Sequence, residues 1–312
     1  MEEYMNMNIV LEVENLKKQF GGFIAVDDIS FSVKEGEILG FLGPNGAGKT
    51  TTIQMLLAVL TPSQGIIKYF GKDLLKHKEE TLEKVNFSTT YTNLPWVLSV
   101  RENLTFISYL YEIPHRKKRV DEIIELFKLQ KLEKKRMAEL SAGQRTRVNL
   151  AKAFINQPKV LLLDEPTASL DPDIASYIRG IITDYRDRTK ATILWTSHNM
   201  SEVEEMCDRV IFINKGKIIS DDTPDKLAKS IEISHVELLV RDGMKRTEEY
   251  CNKNKLPFKL QHRTIIIDVK ESKIAEFLRG LMEAGVIYDE ISIEKPTLED
   301  YFLQTAGNYE NT

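Results

Sequence analysis

Cysteine is nearly missing from this 312-residue chain: Cys207 and Cys251 stand alone and far apart. Two such residues cannot build a disulfide framework, and neither has a Cys or His neighbour at zinc-ligand spacing. That pattern fits a reducing cytosol. Long hydrophobic runs are lacking as well. The longest, such as Met55 to Leu60 and Val160 to Leu163, fall far short of the roughly 20 residues that span a bilayer. Any work at a membrane therefore falls to another chain. The opening MEEYMNMNIV carries acidic residues and no apolar centre, which predicts no secretory leader. A net charge of −4 gives no global pull toward nucleic acid. Basic residues do cluster at His115 to Arg119 and Lys131 to Arg136, but runs this short read as solvated helix faces. No internal repeat or low-complexity tract is present.

What is present supports one large domain and one small one, with 42% hydrophobic residues to fill their cores. Ile9 to Val13 and Asp28 to Val33 alternate as strands, and Glu37 to Leu42 is a buried run bounded by glycines. A helix is predicted over Lys49 to Leu60, stopped by Thr61-Pro62. Residues from about 90 to 157 read as a helical insertion, with amphipathic stretches at Arg101 to Tyr111, Lys118 to Phe127 and Thr146 to Ile155. Strands Val160 to Leu163, Thr192 to Thr196 and Arg209 to Ile213 then alternate with helices Pro172 to Thr189 and Ser201 to Met206. Buried strands with intervening helices imply an α/β fold with a mostly parallel sheet, preceded by an antiparallel β part. The boundary is placed at 230/231, and residues 231–312 read as a small α+β domain. Its predicted strands are Val236 to Val240, Thr264 to Val269 and Val286 to Glu294, with helices near Met244 to Asn254 and Ser272 to Ala284.

The chemistry begins at GPNGAGKT, comprising Gly43, Pro44, Asn45, Gly46, Ala47, Gly48, Lys49 and Thr50. Glycines at this spacing turn backbone N–H groups inward around phosphate oxygens, and the following helix presents its positive N-terminal end. Lys49 is expected at the terminal phosphates, Thr50 at Mg2+, and Thr51 close by. Asp164 closes the aliphatic run VLLLDEP at the tip of a buried strand, where ligands gather in open α/β sheets. It is expected to hold Mg2+ through water, with Glu165 pointing the other way.

Between these two motifs lies LSAGQ, Leu140 to Gln144. The three in this order resemble the nucleotide-binding subunit of an ATP-binding cassette (ABC) transporter, and the resemblance covers roughly the first 230 residues. It implies a P-loop NTPase cassette that hydrolyses ATP, the nucleotide being ATP by resemblance alone. In that family the position of Glu165 orients or activates the attacking water, and that of His198, in ThrSerHis after a strand, contacts the γ-phosphate. Phe20, before Gly21-Gly22, matches the aromatic that stacks on adenine, against the plainer reading of a core residue at a strand end. Ser141, Gly143 and Gln144 open a helix whose hydroxyl and amides are expected free for the γ-phosphate of a second cassette. The implied partner is thus a second copy or a homologous cassette, facing head to tail, and Asp171 matches the loop joining the two sites.

Two departures stand out. Ala142 replaces the commoner glycine of the signature, and Thr90 falls where a metal-touching, motion-passing glutamine is expected. Thr90 is too short to reach as glutamine does; an intervening water or neighbouring Tyr91 remains as the substitute. Leu94, Pro95 and Trp96 then read either as a docking surface for a partner helix or as a plain loop. The resemblance implies separate membrane-spanning permease subunits, a place at the cytoplasmic face of the membrane, and no nucleic-acid partner. Its rival is a soluble cassette ATPase of translation or DNA repair, though such chains carry paired cassettes or long insertions that are lacking here. The ending KPTLEDYFL, residues 295–303, resembles bacterial exporter ATPases and favours export. A sensing role and a dimer-stabilising role for the tail both stay open.

Overall fold

The computed structural model describes residues 8–89 and 94–310, with the backbone alone for 306–310. It divides into two compact units, meeting in sequence at Thr223/Pro224.

The first unit opens with a long hairpin, β1 (Ile9–Phe20) and β2 (Phe23–Lys34). Strand β1 runs well past the Val13 read from the sequence, because irregular registers after Val13 break the period of two that alternation detects. Asn15 and Asp28 both adopt positive φ there, and the Asn15 amide donates to Asp28 Oδ1 at 3.0 Å. Next come β3 (Ile38–Leu42) and α1 (Lys49–Leu56), followed by β4 (Gln64–Tyr69), β5 (Lys72–Asp73), α2 (Lys78–Leu82) and β6 (Val85–Ser88). Helix α1 stops short of Leu60 because Ala58 turns to φ 50. The insertion contributes α3 (Val100–Ser108), α4 (Arg116–Leu126) and α5 (Ala142–Ala153). The chain then runs through β7 (Val160–Asp164), α6 (Pro172–Thr189), β8 (Thr192–Thr196), α7 (Met200–Met206), β9 (Arg209–Asn214) and β10 (Lys217–Asp222).

Two sheets result. One is antiparallel, ordered β2-β1-β4-β5; the other is ordered β10-β9-β3-β8-β7-β6 and is parallel except where β10 pairs β9. Every residue of β3 and β8 is buried, as expected of central strands covered on both faces. Leu16, Val26 and Ile29 from the first sheet join Leu39, Phe41 and Ile211 from the second in one core. The loop after β3 is thereby clamped between two layers.

The second unit holds α8 (Pro224–Lys229), β11 (Ile233–Asp242), α9 (Met244–Lys253), β12 (Phe258–Gln261), β13 (Thr264–Lys270), α10 (Ile274–Glu283), β14 (Ile287–Glu294) and α11 (Leu298–Glu310). Helix α8, which the sequence reading left with the first domain, groups with this unit and packs against α11. From β11 to β14 the order of elements is βαββαβ, and the antiparallel sheet is ordered β12-β13-β11-β14, a ferredoxin-like arrangement. Val236, Leu238 and Val240 alternate with Ile265, Ile267 and Val269 on one face, packed with Cys251, Phe277 and Leu281. On the other face His235 bridges two carboxylates, Asp268 at 2.7 Å and Asp300 of α11 at 3.1 Å.

Candidate functional site

Parallel order brings the C-terminal ends of β3, β8 and β7 side by side, and the sequence-predicted residues of the first motif gather at that edge. Gly43 to Gly48 form the loop between β3 and α1. Its Ala47 carbonyl accepts from Gly216 N at 2.9 Å, while Ala47 N donates to Pro44 O at 3.2 Å. Gly48 has φ 107, and a Cβ there would stand 2.5 Å from the Ala25 carbonyl oxygen of β2. Only glycine fits that approach. No side chain caps α1, so the first amides of the helix keep the orientation that an anion requires. Lys49 Nζ lies against the loop's own carbonyls, donating to Gly43 O and, at 3.0 Å, to Pro44 O. Burial pulls the Lys49 ammonium below its ordinary pKa, and the charges of Glu165 and Asp164 partly restore it. Thr50 is exposed on the first turn of α1 and Thr51 is half-buried.

Asp164 ends β7 opposite Thr196 of β8, whose hydroxyl donates to Asp164 Oδ1 at 2.6 Å. Glu165 does not point the opposite way, as strand alternation implied. It adopts φ 52, which ends the strand and swings its carboxylate toward the same edge, 3.4 Å from His198 Nε2. Burial holds the Glu165 carboxyl above the usual range; the His198 side opposes the rise and the Asp164 charge adds to it. A half-buried carboxyl with a proton affinity raised in this way, next to an exposed imidazole, has the chemistry of a proton acceptor.

Two positioning residues escaped the sequence reading. Thr196, 1% exposed, also takes the Glu165 amide at 3.2 Å, so one hydroxyl meets the Asp164 carboxylate and the backbone of Glu165. Glu202 of α7 accepts from Thr167 Oγ1 at 2.6 Å and pairs with Arg179 of α6 at 2.8 Å, fixing the turn after Glu165. The Thr at the end of ThrIleLeuTrpThr was the available signal for the first. Glu202 carried none, because its partners lie on separate elements.

The signature opens α5 with Ser141 as N-cap. Its hydroxyl, expected free, accepts from Gln144 N at 3.3 Å, and Gln144 Oε1 accepts from Ser141 N at 3.1 Å. This is a capping box, so Gln144 serves the helix start and Ser141 keeps only its hydroxyl hydrogen to donate. Gly143 has a steric reason instead: an added Cβ would lie 2.6 Å from the Ser169 carbonyl oxygen. Asp171 is the N-cap of α6, before Pro172, and makes no side-chain capping bond. Phe20 ends β1 with its ring 48% exposed and Lys18 Nζ 5.0 Å from its centroid, which places it on the surface rather than in the core. Thr90 and Tyr91 lie outside the described residues. The basic run at His115 is more than a solvated face, since Arg119 donates to the Phe154 and Ile155 carbonyls that end α5.

The donor set fits a cation held mainly by phosphates. Among the described residues no group of three or more His, Cys, Asp or Glu could hold a metal ion by itself. A lone strand-end carboxylate, Asp164, suits Mg2+, which keeps several waters and binds through few protein ligands.

Fold and motif geometry define a P-loop nucleotide-binding cassette. The ABC transporter family model matches residues 26–168. The bacitracin transport ATP-binding protein BcrA of Bacillus licheniformis is 32% identical over 306 residues, covering 96% of this chain and 98% of that protein. The methionine import ATP-binding protein MetN of Geobacillus kaustophilus is 38% identical over 205 residues, covering 64% and 60%. Among solved structures, cbiO1 from Clostridium perfringens, part of the ABC transporter complex cbiONQ, superposes with a TM-score of 0.62 at 31% identity, covering 70% of this chain and 90% of that one. The chain belongs to the ABC transporter family, as an ATP-binding subunit and ATPase. No helix among the described residues is long and apolar enough to cross a membrane.

Proposed function

We propose that this subunit powers export through separate membrane-spanning chains, working at the cytoplasmic face of the membrane as one half of a head-to-tail pair of cassettes. The observation that carries the chemistry is the gathering of Lys49, Asp164, Glu165 and His198 at one sheet edge, with Glu165 3.4 Å from His198. Lys49 leaves its two loop carbonyls for the β- and γ-phosphates, and the amides at the start of α1 hold the phosphate oxygens. Thr50 and Asp164 would hold Mg2+, which would supply neutralisation of charge on the phosphates. Glu165 accepts the proton of the attacking water as its oxygen bonds to the γ-phosphorus in line, the bond from that phosphorus to the β–γ bridging oxygen breaks and ADP leaves, and His198 steadies the transferring group. Phe20 stacks on adenine. From the other cassette, Ser141 and the amides at Ala142 and Gly143 complete the γ-phosphate site, with Asp171 at the seam.

Export is supported by the extent of the likeness. The bacitracin transport relative matches 96% of the chain, through the C-terminal unit, whereas the methionine import relative matches 64%. The test of the pairing is Glu165→Gln with ATP and Mg2+, followed by size-exclusion chromatography with light scattering. The variant is expected to accumulate as an ATP-bound dimer. A variant that stays monomeric while the parent hydrolyses ATP refutes the head-to-tail pair.

A further inference from the structure

The helical insertion carries a physical link between a surface ring and the signature that neither the motifs nor the comparisons assign. Trp96 lies after β6 with its ring 51% exposed, next to Val97 at 75%. These side chains do not sit on a slack loop. Buried Asn103 of α3 donates from its amide to the carbonyls of Pro95, Leu98 and Ser99 at 3.0–3.2 Å, stapling the segment to the helix that follows.

The same segment is zipped to the stretch that leads into LSAGQ. Ala138 N donates to Trp96 O at 3.2 Å, Met137 N to Leu98 O at 3.0 Å, Val100 N to Lys135 O at 3.0 Å and Arg101 N to Glu133 O at 2.9 Å. Arg101 adds two donors to Glu133 Oε2, at 2.6 and 3.1 Å. The ribbon ends at Ala138, two residues before Leu140, which precedes the Ser141 cap. Here Arg145 closes the circuit: its Nη1 donates to Leu140 O at 2.7 Å, and its guanidinium sits 5.4 Å from the centre of the Trp96 ring. Arg145 belongs to the first turn of α5, which also carries Ser141 and Gly143.

From this circuit we propose that Trp96 and Arg145 are positioning residues: the ring, through the guanidinium, sets the attitude of the α5 N-terminus and hence the reach of Ser141 and Gly143 toward the nucleotide on the opposite cassette. The inference rests on the paired-cassette reading above. Because Arg145 grips both the carbonyl before the cap and the indole face, a shift of the ring is felt at Leu140 and through it at the first amides of α5. The effect is on pairing and turnover, since the P-loop lies on other elements and owes nothing to the stack. A half-exposed cation–π contact changes an equilibrium by about two- to fivefold, and a dimer contains two, so its dissociation constant is expected to rise about 4- to 25-fold on loss of either partner.

The test measures ATPase rate against chain concentration for the parent and for Trp96→Ala, Trp96→Phe, Arg145→Ala and the Trp96→Ala/Arg145→Ala pair. ATP affinity of each is measured by calorimetry without Mg2+. The single alanine variants are expected to need about 4- to 25-fold more chain for half-maximal activity, with unchanged ATP affinity. Trp96→Phe keeps an aromatic face and stays near the parent, and the double variant is no worse than either single. Singles that match the parent, effects that multiply in the double variant, or ATP affinity that falls in step with activity overturn the relay while leaving the paired cassette intact. A parent whose specific activity is independent of concentration at every level overturns the pairing and the relay together.

Discussion

Replacing Thr196 with valine removes one hydroxyl and almost nothing else, which makes it the cleanest probe of how the carboxylates are held. The hydroxyl is 2.6 Å from Asp164 Oδ1 and 3.2 Å from the Glu165 amide, in a side chain that is 1% exposed. The amide loses little, because Glu165 N also donates to Thr196 O at 3.1 Å. The loss therefore falls on Asp164, whose charge-assisted bond is worth about 1.5–3 kcal/mol. For a domain of this size, about 2 kcal/mol lowers the melting temperature by about 4–8 °C. Asp164, freed to rotate, also loses the aim it needs for Mg2+; an outer partner of this kind costs roughly tenfold or more in metal affinity. The assay is a thermal melt together with ATPase activity titrated with Mg2+. Thr196→Ser, which keeps the oxygen, is expected to hold the parent's Mg2+ dependence. Parent-like melting and Mg2+ dependence in Thr196→Val refute the claim that this hydroxyl sets Asp164.

Two further predictions use the titration of buried groups. Lys152 of α5 is buried beside Phe87, donating to the Phe87 carbonyl at 2.6 Å, and burial depresses its pKa to about 7. Between that value and its unfolded one of about 10.5, the unfolded chain binds more protons, so stability rises with pH across about 7–9. Lys152→Met is expected to flatten that rise in urea melts at pH 7 and 9; identical pH slopes in parent and variant refute it. His235, between Asp268 and Asp300, has its pKa raised by those carboxylates against the opposing effect of burial. Its contribution is full below the unfolded pKa of about 6.5 and is lost as pH rises through the folded value. Hydrogen-exchange protection in α11 of the full chain is therefore expected to fall from pH 6 to pH 8 in the parent and to be low at both in His235→Gln. Equal protection at both pH values in the parent sinks the latch.

Much of this was legible in the chain because the relevant physics is local. A run such as Val160 to Leu163 ahead of two carboxylates reads as a buried strand, and Gly48 before Lys49 serves a close backbone approach. The three motifs in order identify the family, and nearly every helix of the insertion was placed by its 3.6-residue period. Where the period is broken less is legible: β1 continues through irregular registers, and α11 is tied to β11 by an Asp300–His235 bridge that no pattern announces.

Tertiary structure decided what neighbours across the sheet do to one another. Alternation predicts opposite directions for Asp164 and Glu165, but φ 52 at Glu165 turns both to one edge. The sequence places Ser141 at the cap of α5 with its hydroxyl open to an anion, while the fold adds the reciprocal bonds with Gln144 that make a capping box. Thr196 becomes a partner of Asp164 only because β8 lies beside β7 in register, and Trp96 meets Arg145 only because residues 96–101 are zipped to 133–138. A sequence specifies which groups are available along the chain. Which of them share a hydrogen bond depends on strand order and crossing segments, and those are set by packing over distances that no local pattern encodes.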